Sequence, residues 1–151
     1  MDWLDNSQQA EFRNKVKDFL NSSIPSYYTN VTPDRIAEGH TGGWQYDLKV
    51  GSDDVKNAAK QWVTSLAKHD WVAPHWPKEY GGGGLTPMEQ FILRSEFAWH
   101  GVPPVAGPGV NMLGPTIILH GTEKQKKELL PSILSGEITW AQGYSEPGAG
   151  S

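Results

Sequence analysis

Apolar residues along this chain recur mostly at helical spacing. Between Ser7 and Leu20, the residues Phe12, Val16, Phe19 and Leu20 lie four, three and one positions apart, which predicts one apolar stripe on a polar helix. Val55, Ala59, Trp62, Val63 and Leu66 form a second buried face on a helix capped by Asp53 or Asp54 and ending near His69. Thr86-Pro-Met-Glu89 is a capping box with proline at the first helical position. It predicts a third helix from Pro87 to Trp99 with Phe91, Ile92, Ser95 or Phe97 turned inward. Gly114-Pro115 opens a short apolar helix, Thr116 to His120, closed by Gly121. Thr122-Glu-Lys-Gln125 is a second capping box and starts a helix through Leu130, where Pro131 either ends it or starts a further turn to Leu134.

Three stretches break this period. Residues 21 to 52 hold Pro25, Pro33 and several glycines among polar residues, and read as a long connection with at most a helical turn at Pro33 to Ala37. The apolar run Val102-Pro-Pro-Val-Ala-Gly-Pro-Gly-Val110, with three prolines and two glycines, cannot form a regular helix. Irregular backbone beside a ligand cavity and a loop packed in the core both account for it. After Gly136, Ile138, Trp140 and Gln142 alternate with Thr139 and Ala141, which suits a strand. The expected architecture is therefore all-α over residues 1–136, with the first strand of a β domain at 137–151.

The composition narrows the chemistry. At 151 residues the chain is long enough for a real core. With no cysteine, disulfides, thiolate zinc sites and a cysteine nucleophile are excluded. A net charge of −4, with no basic block beyond Lys124, Lys126 and Lys127, argues against nucleic acid as a partner. The acidic start Met1-Asp-Trp-Leu-Asp lacks the marks of a signal peptide, and no window is apolar enough to span a membrane, so a cytoplasmic protein is expected.

Most candidate sites dissolve on inspection. Gly81 to Gly84 follow Tyr80 without a preceding strand or a following Gly-Lys-Ser/Thr, so a helix connection anchored by Trp71, Trp76 and Tyr80 is preferred over a phosphate cradle. His40, His69, His75, His100 and His120 share no helical face and have no acidic partner at ligand spacing. No serine sits in a Gly-x-Ser-x-Gly elbow. Glu89 and Glu96 lie seven apart on one helix face, as expected of a solvated surface as much as of a site. Lys124, Lys126 and Lys127 with Glu123 and Glu128 read as a mixed-charge exposed face. The run Thr139 to Ser151 stands apart. There, a polar extended segment enters a proline turn followed by small residues, leaving backbone N–H groups open to a planar or phosphate-bearing ligand.

Four segments in this order, Trp76-Pro-Lys-Glu-Tyr-Gly-Gly-Gly-Gly-Leu85, His120-Gly-Thr-Glu-Lys-Gln-Lys-Lys127, Leu130-Pro-Ser-Ile-Leu-Ser-Gly-Glu137 and Tyr144-Ser-Glu-Pro-Gly-Ala-Gly-Ser151, resemble the flavin-dependent acyl-CoA dehydrogenases. The resemblance covers essentially the whole chain. It implies the all-helical N-terminal domain of that family, followed by the start of its middle β domain, with FAD held between domains and subunits. By the same resemblance, Gln142, Gly143, Tyr144, Ser145, Gly150 and Ser151 would belong to the flavin-binding segment. Ser145 would bond the pyrimidine side of the isoalloxazine in place of the more usual threonine. Ser151 would also contact the acyl-CoA, and Val105, Val110 and Leu113 would line the acyl-chain tunnel.

The implied reaction is α,β-dehydrogenation of an acyl-CoA thioester to the trans-2-enoyl-CoA in fatty-acid or sterol side-chain catabolism, with electron-transfer flavoprotein as acceptor. The variant Gln142-Gly-Tyr-Ser resembles bacterial branches acting on long, branched or sterol-derived acyl-CoA. A homo- or hetero-oligomer is implied for the longer protein. The family's catalytic glutamate belongs to a C-terminal domain, and no residue here matches it, so no catalytic residue is assigned. The 151-residue chain alone is expected to bind FAD poorly and to be inactive. Two other readings remain: an acyl-CoA oxidase or flavin monooxygenase of the same architecture, and a helical acyl-CoA-binding or interaction module if the chain ends at Ser151.

Overall fold

The computed structural model describes residues 4–29, 43–104, 107–143 and 145–149. Asn6 starts α1 (Ser7–Ser23) by accepting from the Gln9 N–H at 2.9 Å, while the Gln9 side chain accepts from the Asn6 N–H. This reciprocal pair satisfies two donors that a helix start leaves open. α2 (Ser26–Thr29) and α3 (Trp44–Val50) follow. Both lie inside the stretch expected to be a connection. They are too short to show a period, and what forms them is burial: Tyr28, Trp44 and Asp47 are all buried. The turn expected at Pro33 to Ala37 lies outside the described residues.

The Tyr28 hydroxyl donates to Asp47 Oδ2 at 2.7 Å. Burial, and then this bond to a carboxylate, push the phenol well above its ordinary pKa and hold it protonated. α4 (Asp53–Ala67) has Ser52 rather than an aspartate at its N-cap, and Asp53 and Asp54 occupy its first turn, where negative charge suits the helix dipole. The chain divides into two compact units, Met1–Val105 and Ala106–Ser151, so the boundary expected at Gly136 falls inside the second.

In the first unit α3 and α2 pack on α4, and α1 packs on α5 (Pro87–Trp99). The core is aromatic. Phe19 lies 5.6 Å from Trp62, 5.0 Å edge-on from Trp71 and 6.4 Å stacked from Phe97. α5 keeps its predicted bounds and capping box. Its buried face is Ile92, Leu93, Glu96 and Phe97, whereas Phe91 is 62% exposed and Ser95 half-buried. Of the two readings the sequence left open for Glu96, its burial excludes the solvated one. Arg13 Nη1 donates to Glu96 Oε1 at 2.8 Å, while Nη2 donates to Asp5 Oδ1 at 2.9 Å and Nε to Asp5 Oδ2. One guanidinium thus bridges the start of α1 and the middle of α5, as its planar fork allows.

The glycine run is structural. All four N–H groups go to protein carbonyls: Gly81 to Lys78, Gly82 to Pro77, Gly83 to Ala73 and Gly84 to Trp76. A Cβ at Gly82 would lie 2.3 Å from the Trp76 oxygen. With its donors engaged and its concave side filled by a buried Trp76, the segment has nothing left to offer a phosphate.

The second unit holds a π-helical turn (Gly109–Leu113), α6 (Gly114–His120) and α7 (Glu123–Ser135), which pack on one another. α6 begins at Gly114 rather than Thr116, because the π turn runs straight into it. The Thr122 capping box forms as predicted, and α7 continues through Pro131 to Ser135, ending at Gly136 in the left-handed conformation, φ 69°. Among the described residues no strand follows. Residues 139–143 leave the helix as expected, but an extended segment becomes a strand only when a neighbour completes its ladder, and no described residue does.

Candidate functional site

The candidate site is built on the second unit. Gly136 turns the chain out of α7, and its N–H returns to the Ile133 carbonyl at 3.3 Å. The Ile138 N–H reaches the Ser132 carbonyl at 3.5 Å, and Glu137 N–H reaches Ser135 Oγ at 3.3 Å. Beyond this, Gln142, Gly143 and Ser145 are exposed and make no hydrogen bond to another described residue. Their peptide groups are free to pair with a ligand, alternately donating and accepting.

Glu146 and Ala149 then close a tight turn with bonds in both directions, 3.0 Å and 2.9 Å, and Pro147 occupies the first central position that its fixed φ favours. Gly148 and Gly143 have open space where a Cβ would stand, so neither is a glycine for lack of room in the chain itself. Tyr144, Gly150 and Ser151, and Val105 of the apolar loop, lie outside the described residues.

The predicted tunnel residues divide. Val110 is 1% exposed, packed within the π turn, whereas Leu113 is half-buried at its end and its neighbour Met112 is 46% exposed. The π turn takes up the last two residues of the apolar run, Gly109 and Val110. Widening the helix by one residue per turn lets Gly109 and Val110 be buried while Met112 and Leu113 keep surface to offer, and such turns are frequent at functional sites. Sequence reasoning missed two residues that this geometry brings together, Gly109 and Trp140; a glycine inside an apolar helical turn was the available signal.

No three histidine, cysteine or carboxylate side chains among the described residues are grouped to hold a metal. Nor is any helix among them long and apolar enough to cross a membrane.

The family model for the acyl-CoA dehydrogenase N-terminal domain matches residues 48–137. The chain belongs to the acyl-CoA dehydrogenase family. Acyl-CoA dehydrogenase FadE26 of Mycobacterium tuberculosis is 34% identical over 143 residues, covering 95% of this chain and 32% of the relative. Acyl-CoA dehydrogenase IpdE1 of Mycolicibacterium smegmatis is 40% identical over 93 residues, 61% of this chain and 24% of the relative.

Among solved structures, the ChsE4-ChsE5 complex from Mycobacterium tuberculosis matches with a TM-score of 0.65 at 31% identity, covering 99% of this chain and 33% of that one. The Tcur3481-Tcur3483 steroid ACAD G363A variant matches with a TM-score of 0.66 at 35% identity, covering 95% of this chain and 33% of that one. The chain spans about a third of the length of FadE26 and of these structures. The helical fold is the N-terminal domain fold of this family. The residues present are compatible with a flavin to this extent: the peptide groups of Gln142, Gly143 and Ser145 and the Ser145 hydroxyl are exposed and bond no other described residue, so donors and acceptors are open to a planar hydrogen-bonding ring.

Proposed function

We propose that this chain forms part of the cofactor and substrate site of an FAD-dependent acyl-CoA dehydrogenase acting on bulky, sterol-derived acyl-CoA thioesters. The observation that carries the reading is that Gln142, Gly143 and Ser145, beyond the end of α7, are exposed and bond no other described residue in a chain of this family. The substrate class is supported by the likeness to a steroid acyl-CoA dehydrogenase and by the Gln142-Gly-Tyr-Ser run.

When bound, FAD supplies the two-electron acceptor for the β hydride. The peptide groups of Gln142, Gly143 and Tyr144 and the hydroxyl of Ser145 hold and orient the ring system, while Gly150 and Ser151 extend the contact and Ser151 also meets the acyl-CoA. Leu113, half-buried at the end of the π turn, would face the acyl chain and exclude water, with Val105 and Val110 assigned to the same tunnel by the resemblance.

The proton-abstracting carboxylate is placed outside residues 1–151. The two buried carboxylates among the described residues are engaged, Asp47 by the Tyr28 hydroxyl and Glu96 by Arg13. Electron-transfer flavoprotein is the proposed acceptor, and assembly with a second, related subunit is proposed from the likeness to the ChsE4-ChsE5 complex.

The test is anaerobic mixing of the protein expressed from its complete gene with straight-chain and sterol-derived acyl-CoA. Bleaching of the visible flavin band by the sterol-derived thioester supports the reading. Absence of bound flavin, or rapid peroxide release on admitting air, contradicts it, the latter in favour of an oxidase.

A further inference from the structure

Between Glu137 and Ala149, Trp140 alone among the described residues is not exposed. No backbone hydrogen bond holds residues 139–143 to another described residue, so the side chain of Trp140 is what ties this stretch to the helices. Its ring occupies the space above Gly109. A Cβ built on Gly109 would stand 2.9 Å from Trp140 Cδ1, 3.5 Å from Cγ and 3.2 Å from Ile133 Cγ2. The first distance is shorter than atoms tolerate, so the indole rests directly on the backbone of the π turn.

That contact explains a glycine otherwise out of place, since glycine within a helix costs about 1 kcal/mol relative to alanine. The indole N–H is buried and finds no hydrogen-bond partner among the described residues. Shape, rather than polar pairing, therefore sets the ring's position.

We propose that Trp140, seated on Gly109 and Ile133, is a positioning residue that fixes where Gln142, Gly143 and Ser145 present their peptide groups to the flavin. The inference rests on the reading of that segment as flavin contacts. Gln142 is two residues beyond the anchored ring, roughly 7 Å along an extended chain, so a displaced indole is passed on to it with little loss. A misplacement of about 1 Å weakens oriented contacts by an order of magnitude or more.

The experiment uses the protein expressed from its complete gene, with FAD affinity, the shape of the visible flavin band and the flavin midpoint potential as readouts. Gly109→Ala and Trp140→Ala should each weaken FAD binding by about tenfold and shift the band and the potential. Trp140→Phe, which keeps a packed ring, should stay within about twofold of wild type. The double variant Gly109→Ala/Trp140→Ala should be no worse than Trp140→Ala, since both remove one contact.

Should the glycine variant fail to fold, Trp140→Ala against Trp140→Phe reads the same contact without altering the π turn. Unchanged affinity, band and potential in Trp140→Ala, or additive effects in the double variant, would overturn the positioning role alone. A wild-type protein that binds no FAD would overturn the flavin reading and the inference with it.

Discussion

Arg13 holds two carboxylates that lie on either side of it in sequence, and only one of them could have been guessed. Asp5 is a near neighbour, whereas Glu96 is 83 positions away and its partner can be known only once α1 and α5 have packed. The same distance hid its burial: at seven residues from Glu89 it read as solvated surface as much as site, yet its side chain is 9% exposed and the Arg13 side chain 25%. Removing one member of such a pair strands the other. Glu96→Ala should therefore destabilise the fold by about 2–3 kcal/mol, read as a lowered urea midpoint, with Glu96→Gln milder. Asp5 behaves differently because it is only partly buried, its side chain keeping 24% of its surface. The hydrogen bond from Arg13 holds its carboxyl below the usual range. A lowered folded-state pKa adds stability above the unfolded carboxylate value and loses it as pH falls through the folded value. The melting-temperature advantage of wild type over Asp5→Asn should thus be small but present near neutrality, and should shrink below about pH 4. An advantage that grows on acidification would contradict the assignment.

Helices announced by capping chemistry were legible almost to the residue. Thr86 and Thr122 each accept from the N–H three residues on at 3.3 Å and are answered by Glu89 and Gln125 at 2.8 Å. These bonds are local, so the residues that make them can be read from the sequence without knowing the packing. Thr86→Ala should cost about 1 kcal/mol in a denaturant titration without changing the slope, because the helix core it caps stays packed. What was not legible depends on burial. α2 and α3 are four and seven residues long, too short for an apolar period, and they form because Tyr28, Trp44 and Asp47 are enclosed. The inner face of α5 was legible at Ile92 and Phe97 but not at Phe91, which is exposed, or at Leu93 and Glu96, which are buried, because apolar Met88, Phe91 and Trp99 fall on the exposed side. The alternation after Gly136 correctly marked the end of α7, but alternation alone cannot supply the neighbour a strand requires.

Across the molecule, the chain's most glycine-rich segment proved to be packing and its least decorated one the candidate site. Gly81 to Gly84 put their N–H groups on protein carbonyls, whereas Gln142, Gly143 and Ser145 keep theirs open. Composition could not separate the two. The difference is whether the backbone finds partners within the chain, which only the fold decides. The Gln142 to Ala149 segment could be singled out because its proline turn and small residues are local features. The Trp140–Gly109 contact that anchors it joins residues 31 positions apart by shape alone. The central claim is that this segment serves an α,β-dehydrogenation. Its most direct test is mass analysis of the product when the protein from the complete gene is given a sterol-derived acyl-CoA and an artificial electron acceptor. A thioester lighter by two hydrogens, with a trans double bond next to the carbonyl, is the predicted result. Unchanged thioester with flavin bound, or a product that has gained oxygen, would contradict it.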